Sequence, residues 1–327
     1  MKYQAIVRTV AALSLSLGVG ASASAQDNYP ERPIKFVVPS APGGSPDVLS
    51  RVITAELGKL INQTIVVDNK PGAAGSIGIV QIKDAKPDGY TIGYGNINTL
   101  SVNRSLFKKL PYDTDKDLKP VGQMFSIYNA LIVPADSPVK SVQDLVARAK
   151  AEPGKLSYGA SGVGTTGHMG GELFKSLAGI DALFVPYNSG PAALQDLMGG
   201  RLDYMFTNSS EAAPLVASGK VRAIGVSSKK RLALFPDVPT LDEAGVKGYE
   251  TVAWGGIVAP AGTPDAVVSK LNTALQKALT APEVQKSLAT FGADAVGGSP
   301  ADFQKLMDDE AAKWARIIEE AKIERLD

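Results

Sequence analysis

Two runs rich in glycine and hydroxyl residues are where this sequence could hold a ligand. SAPGGSPD at 40–47 follows an apolar run that breaks at Pro39, and it leads into apolar positions 48, 49, 52, 53, 57, 60 and 61. That spacing is helical. A strand, a glycine loop and a helix start in this order aim backbone N–H groups and the positive end of a helix dipole at one point, which recognises an anion without a side-chain charge. SGVGTTGH at 161–168 repeats the device ahead of Met169, Leu173, Phe174 and Leu177. The candidate ligand contacts are Ser40, Ala41, Gly43, Gly44 and Ser45 in the first run and Ser161, Gly162, Gly164, Thr165, Thr166 and His168 in the second. Asp47 reads as a helix cap, because a carboxylate facing a bound anion would repel it.

Other chemistries fit these residues poorly. Gly162 to Met169 has the glycine spacing of a phosphate loop, G-x-x-x-x-G-K-[ST], but His168 and Met169 stand where the lysine and the hydroxyl must be. A serine hydrolase using Ser161 and His168 is the rival from a different class. Val163 replaces the second glycine of a nucleophile elbow, and His168 follows Ser161 too closely to serve as its base. The chain has one His and no Cys, so no metal centre and no cofactor are expected, and no residue is assigned a catalytic role. His168 reads equally as a ligand donor or as a structural cap. Polar residues after two further apolar runs, Asn96, Asn98 and Thr99 after one and Thr207, Asn208 and Ser209 after the other, sit where parallel sheets collect ligands. Asn96, Thr207, Asn208 and Ser209 complete the candidate site.

The rest of the sequence reads as an exported α/β protein of two domains that would carry these loops. Residues 1–25 combine Lys2 and Arg8, an apolar stretch from Val10 to Val19 and Ala23-Ser24-Ala25, which reads as a secretory signal peptide with no cysteine for a lipid anchor. Removing Lys2 and Arg8 from the 34 basic residues leaves 32 against 33 acidic ones. Neither nucleic acid nor an anionic membrane surface is an expected partner, and a monomer is expected. Apolar runs at 34–38, 64–68, 90–95, 130–134, 156–160, 182–187, 202–206, 221–226 and 254–260 alternate with helical patterns, which argues for mainly parallel sheets flanked by helices. PGAAGSIG at 71–78 suits close backbone packing or a further ligand-facing turn. LIVPADSPVKSVQDL and GIVAPAGTPDAVVSKL look alike and suggest the points where the chain crosses between domains. The expected division is 27–131 plus 256–327 for the first domain and 132–255 for the second, with a final helix from about Asp302 to Lys322 packing on the first.

The segments YPERPIKFVVP, NKPGAAGSIG, KPDGYTIGYGN, LPYDTDKDLKPV, SYGASGVGTTGHMGGELFKSLAGI, FVPYNSGPAALQDLMGGRLDYMF, PDVPTLDEAG and APAGTP occur in this order. Together they resemble the periplasmic solute-binding proteins of the tripartite tricarboxylate transporter family, also called Bug receptors. The resemblance implies a two-lobed Venus flytrap of the type II periplasmic binding class, not an enzyme. It also implies a carboxylate pinched between Ser40–Ser45 and Ser161–Thr166, a two-component membrane permease as partner, and a structural role for Asp203. Two departures bear on the ligand: Ser40 stands where the family usually has Phe or Tyr, and Thr207 stands where it often has Asp. A larger, less negative pocket is expected from these, suited to a dicarboxylate, aromatic ones such as terephthalate included, with its second carboxylate toward Thr207, Asn208 and Ser209. A receptor serving a sensor kinase is the alternative use of the same fold.

Overall fold

The computed structural model describes residues 28–327, and the expected signal peptide lies outside them. Five strands and three helices of eight residues or more make up the first part of the chain. They are β1 (Ile34–Val38), α1 (Ser45–Leu60), β2 (Ile65–Asn69), α2 (Ser76–Lys83), β3 (Thr91–Asn96), β4 (Leu118–Pro134), α3 (Val142–Ala151) and β5 (Ser157–Ala160). The rest of the chain supplies α4 (Thr166–Ala178), β6 (Leu183–Pro186), α5 (Gly190–Met198), β7 (Tyr204–Asn208), α6 (Ser209–Ala217), β8 (Val221–Val226) and β9 (Val252–Pro260). It ends with α7 (Asp265–Thr280), α8 (Pro282–Thr290), β10 (Ala293–Ala295) and α9 (Pro300–Glu320).

The architecture is α/β and two-lobed, with the strands in the order β2-β1-β3-β9-β4-β7-β5-β6. Pairing is parallel where a helix connects neighbouring strands, in β2-β1-β3 and in β6-β5-β7. It is antiparallel around β4 and β9, so both sheets are mixed. One long strand serves both: β4 pairs with β9 from Leu118 to Tyr128, then with β7 and β8 from Asn129 to Pro134. Ser227 fastens the change of partner. Its Oγ accepts from the Asn129 N–H at 2.9 Å and donates to the Thr251 carbonyl at 2.7 Å, tying the two crossing segments together in the interior.

Burial follows the apolar pattern. Ile34, Phe36 and Val38 of β1 pack with Leu49, Ile53 and Leu57 of α1 on one face of the first sheet. On the other face Phe303, Met307, Trp314 and Ile318 of α9, one or two helical turns apart, meet Val37, Ile79 and Trp254. Ser299 caps α9 by a reciprocal pair with Asp302, satisfying two groups that would otherwise be orphaned. In the second lobe Tyr158, Phe174, Tyr204 and Phe206 form an aromatic core under α4.

Candidate functional site

The first loop is set by β1 ending against a proline and by α1 starting at Ser45. Its geometry is held from behind. Asp47, almost fully buried, accepts hydrogen bonds from the Gly43 N–H at 2.9 Å, Arg51 Nε at 2.9 Å and Asn69 Nδ2 at 3.0 Å. The capping role expected of Asp47 is thus a fastening of the whole turn. The Gly43 N–H is spent on Asp47, and Gly43 does not line the cleft.

The second loop is set by β5 and α4. Thr165 is the N-cap, its Oγ1 accepting from the His168 N–H at 3.4 Å and donating to the Gly162 carbonyl at 2.7 Å. Gly164 takes φ +76, a left-handed conformation that turns its N–H onto His168 Nδ1 at 3.2 Å. An L side chain resists that backbone, so glycine suits the position. His168 is therefore an interior prop. It is 7% exposed, its ring lies 4.0 Å from that of Phe184, and burial pulls its pKa down to about 4, opposed by Glu172 and reinforced by Lys175. Nδ1 accepts from the Gly164 N–H and makes no hydrogen bond to Ser161.

Between the two loops lies a cavity of about 580 Å³. Ser40, Ala41, Gly44, Ser45, Asn96, Ser161, Gly162, Thr165, Thr166, Thr207 and Asn208 all line it. Gly43, Gly164, His168 and Ser209 do not; Ser209 is fully buried, with its Oγ turned into the protein. Pro71 to Gly75 also line it, so PGAAGSIG at 71–78 has both features: the turn faces the cleft, while Gly78 packs so closely on Pro39 that a Cβ there would meet the Pro39 Cα at 2.8 Å. Tyr94, Asn129, Tyr187, Asn188, Glu211 and Trp254 are lining residues that the sequence reading missed. The signal for Tyr187 and Asn188 was present in the run YNSGP, a second proline-glycine turn ahead of a helix.

The electrostatics of the cavity come from backbone. The N-caps and first turns of α1, α4 and α5 line it, together with Gly75 and Asn208, the N-caps of α2 and α6. N–H groups in a first helical turn have no intrahelical acceptor, and their dipoles present partial positive charge. Among the described residues no Lys, Arg or His lines the cavity. Its one charged side chain is Glu211, whose Oε2 accepts from Thr207 Oγ1 at 2.7 Å and whose Oε1 accepts from Ser45 Oγ at 3.2 Å. Ser45 Oγ also lies 3.0 Å from Ser210 Oγ, linking the first glycine loop to the start of α6 across the cleft.

These contacts bear on the pocket expected near Thr207. Glu211 on the next helical turn places an acid beside it. The Thr207 hydroxyl is committed to that acid instead of being free for a second ligand carboxylate. Asp203 has the structural part expected of it: it accepts the Ser157 N–H at 2.8 Å and pairs with Arg148 at 3.0 Å.

Known proteins match along nearly the whole chain. The family model described as "Tripartite tricarboxylate transporter family receptor" matches residues 49–323. A Pseudomonas sp. (strain P51) protein, "UPF0065 protein in tcbD-tcbE intergenic region", is 36% identical over 318 residues, covering 97% of this chain and 94% of its own. Two solved structures from Rhodopseudomonas palustris superpose closely. Rpa4515 with adipate gives a TM-score of 0.86 at 36% identity, covering 90% of this chain and 98% of that one. MatC with bound malate gives 0.83 at 33% identity, covering 89% and 100%. The turns, the cleft and these matches agree, and the chain belongs to the receptor family of the tripartite tricarboxylate transporters, a family of periplasmic solute-binding proteins.

Proposed function

We propose that this chain captures a small carboxylate, a dicarboxylate by preference, between its lobes and delivers it to the two-component permease of a tripartite transporter. The observation that carries the reading is the facing pair of glycine turns, one per lobe, on a cavity of about 580 Å³ lined by helix starts and by no cationic side chain. One carboxylate sits between Ser40–Ser45 and Ser161–Thr166 and takes the Ser45 and Thr166 N–H groups. Because those donors belong to different lobes, the ligand binds the closed arrangement more tightly and shifts the population toward it. The lobes divide where β4 changes partner, giving 28–128 plus 252–327 and 129–251. A second carboxylate lies away from Glu211, toward the amides of Asn96 and Asn98. Aromatic dicarboxylates such as terephthalate fall within the size of such a cavity, and relatives solved with adipate and malate support the dicarboxylate class.

A thermal-shift panel of mono-, di- and tricarboxylates tests the reading. A ligand at 100 times its dissociation constant stabilises the protein by about 2.7 kcal/mol. A panel in which monocarboxylates or tricarboxylates raise the melting temperature and dicarboxylates do not would refute the dicarboxylate preference.

A further inference from the structure

One side chain outside the cavity touches both the ligand-facing turn of the first lobe and the glycine turn of the second. Asn103 lies in the short helical turn Asn103–Leu106 and is fully buried. Its Nδ2 donates to the Ala74 carbonyl at 3.1 Å, within the turn at 71–75 that lines the cleft. That turn needs holding, because Ala73 and Ala74 take φ +47 and +51, a left-handed backbone that residues with a side chain resist. The other end of the amide, Oδ1, has no hydrogen-bond partner among the described residues and faces Gly164. A Cβ on Gly164 would meet Asn103 Oδ1 at 3.1 Å and Leu106 Cδ2 at 3.2 Å, so the second glycine turn lies directly on these two residues.

The contact continues on either side of Gly164. Met169 is buried in the same apolar cluster as Leu106 and Tyr112, and Val163 packs against that cluster. Val163, Gly164 and Met169 of the second lobe thus rest on the core of the first. The end of the chain braces this seat from behind: the Leu326 N–H donates to the Leu106 carbonyl and the Lys108 N–H to the Leu326 carbonyl, both at 2.8 Å. Neither Asn103 nor Leu106 lines the cavity. Contacts between lobes favour the closed arrangement, and the apparent affinity of a ligand scales with the fraction of molecules able to adopt its binding-competent form.

We propose that Asn103 and Leu106 are positioning residues for ligand capture, a seat in the first lobe on which the second glycine turn lands, with Asn103 connecting that landing to the ligand-facing turn at Ala74. This rests on the closure described above and adds to it a source of affinity outside the cavity. The seat strengthens every ligand that closes the lobes by the same factor, because it meets none of them.

The chain has no Cys, so a pair of introduced cysteines can carry spin labels without competition. Ala55→Cys on α1 and Gln195→Cys on α5, exposed positions in opposite lobes, report closure as a distance by double electron–electron resonance. Leu106→Ala and Gly164→Ala, singly and together, are titrated calorimetrically with adipate and with malate. Leu106→Ala should weaken both acids by about fivefold or more, and by the same factor for each. Gly164→Ala should weaken them too, and the double variant should lose less than the product of the two single losses, because both changes act across one contact. In ligand-free protein the distance distribution of each variant should move to longer separations. Melting checks that the variants fold; should Leu106→Ala fail, Leu106→Val is read in the same way. Unchanged affinities in the Leu106 variant, unequal factors for the two acids, or losses that simply multiply in the double variant would overturn the inference. No binding of adipate, malate or any acid of the thermal-shift panel, with longer ligand-free distances in the variants, would overturn the carboxylate reading and leave the seat standing. No binding and unchanged distances would overturn both.

Discussion

His168 is the single histidine of the chain, so its protonation can be read directly. Its ring is 7% exposed against Phe184, and Nδ1 accepts the Gly164 N–H, which makes the neutral ring with hydrogen on Nε2 the form that fits. Burial, the largest influence, pulls the pKa from the ordinary 6.5 to about 4. In the unfolded chain the ring takes a proton as pH falls through about 6.5, while the folded ring refuses it until about 4. Stability contributed by the neutral ring is therefore full above pH 6.5, is lost between 6.5 and 4, and does not change further below. At about 1.36 kcal/mol per pH unit the loss is about 3 kcal/mol. Two assays follow. The single imidazole Hε1 resonance, in protein free of any histidine tag, should not titrate between pH 8 and 5. In urea unfolding, the stability of wild type relative to His168→Gln should fall by about 3 kcal/mol from pH 7 to pH 4, since carboxylate titrations common to both cancel. A resonance with its midpoint near 6.5, or a difference flat with pH, would refute the buried neutral ring and return His168 to the cleft.

Other substitutions probe the frame around the cavity. Asp47→Ala frees the Gly43 N–H and the Asn69 amide together, and should cost about 2 kcal/mol in chemical denaturation while weakening ligand binding by calorimetry. Ser227→Ala leaves the Asn129 N–H and the Thr251 carbonyl unpaired in the interior, and a loss of about 2 kcal/mol is expected in the same measurement. Gly171→Ala drives a methyl into the Tyr158 ring, which is already stacked on Tyr204 at 5.3 Å; overpacking of that kind should lower stability by about 3 kcal/mol. Ligand addition should reduce the radius of gyration in small-angle scattering, and an unchanged radius with saturated binding would contradict closure by the two turns.

Much of the frame was legible because strands such as Ile34–Val38, Ser157–Ala160 and Val221–Val226 are short apolar runs bounded by turn residues. The first half of β4 was not. Leu118–Tyr128 contains Pro120, Gly122 and Gln123, residues that argue against a central strand, and the fold accommodates them with register shifts at Pro120/Gly122 and at Gln123/Phe125. Both glycine turns were visible, since their signal is local. Which of their residues face the cleft was not local: Gly43 is turned away by Asp47, and Gly164 and His168 by each other. Glu211 escaped notice because a glutamate in a helix's first turn ordinarily reads as a solvated residue near the helix dipole. Only the pairing of β4 with β7 brings that turn against Ser45.

The sharing of β4 between two sheets also fixes an order of events in folding. Residues 129–251 contain every strand of the second sheet, so that sheet can complete its pairing before the remainder of the chain exists. The first sheet cannot, because β9, at Val252–Pro260, stands between β3 and β4. Until those residues arrive, the edges of β3 and β4 are unpaired and the N-terminal third of the protein has a half-built sheet. The first sheet therefore closes only when this late strand pairs on both sides, and the cleft between the lobes is complete only after it.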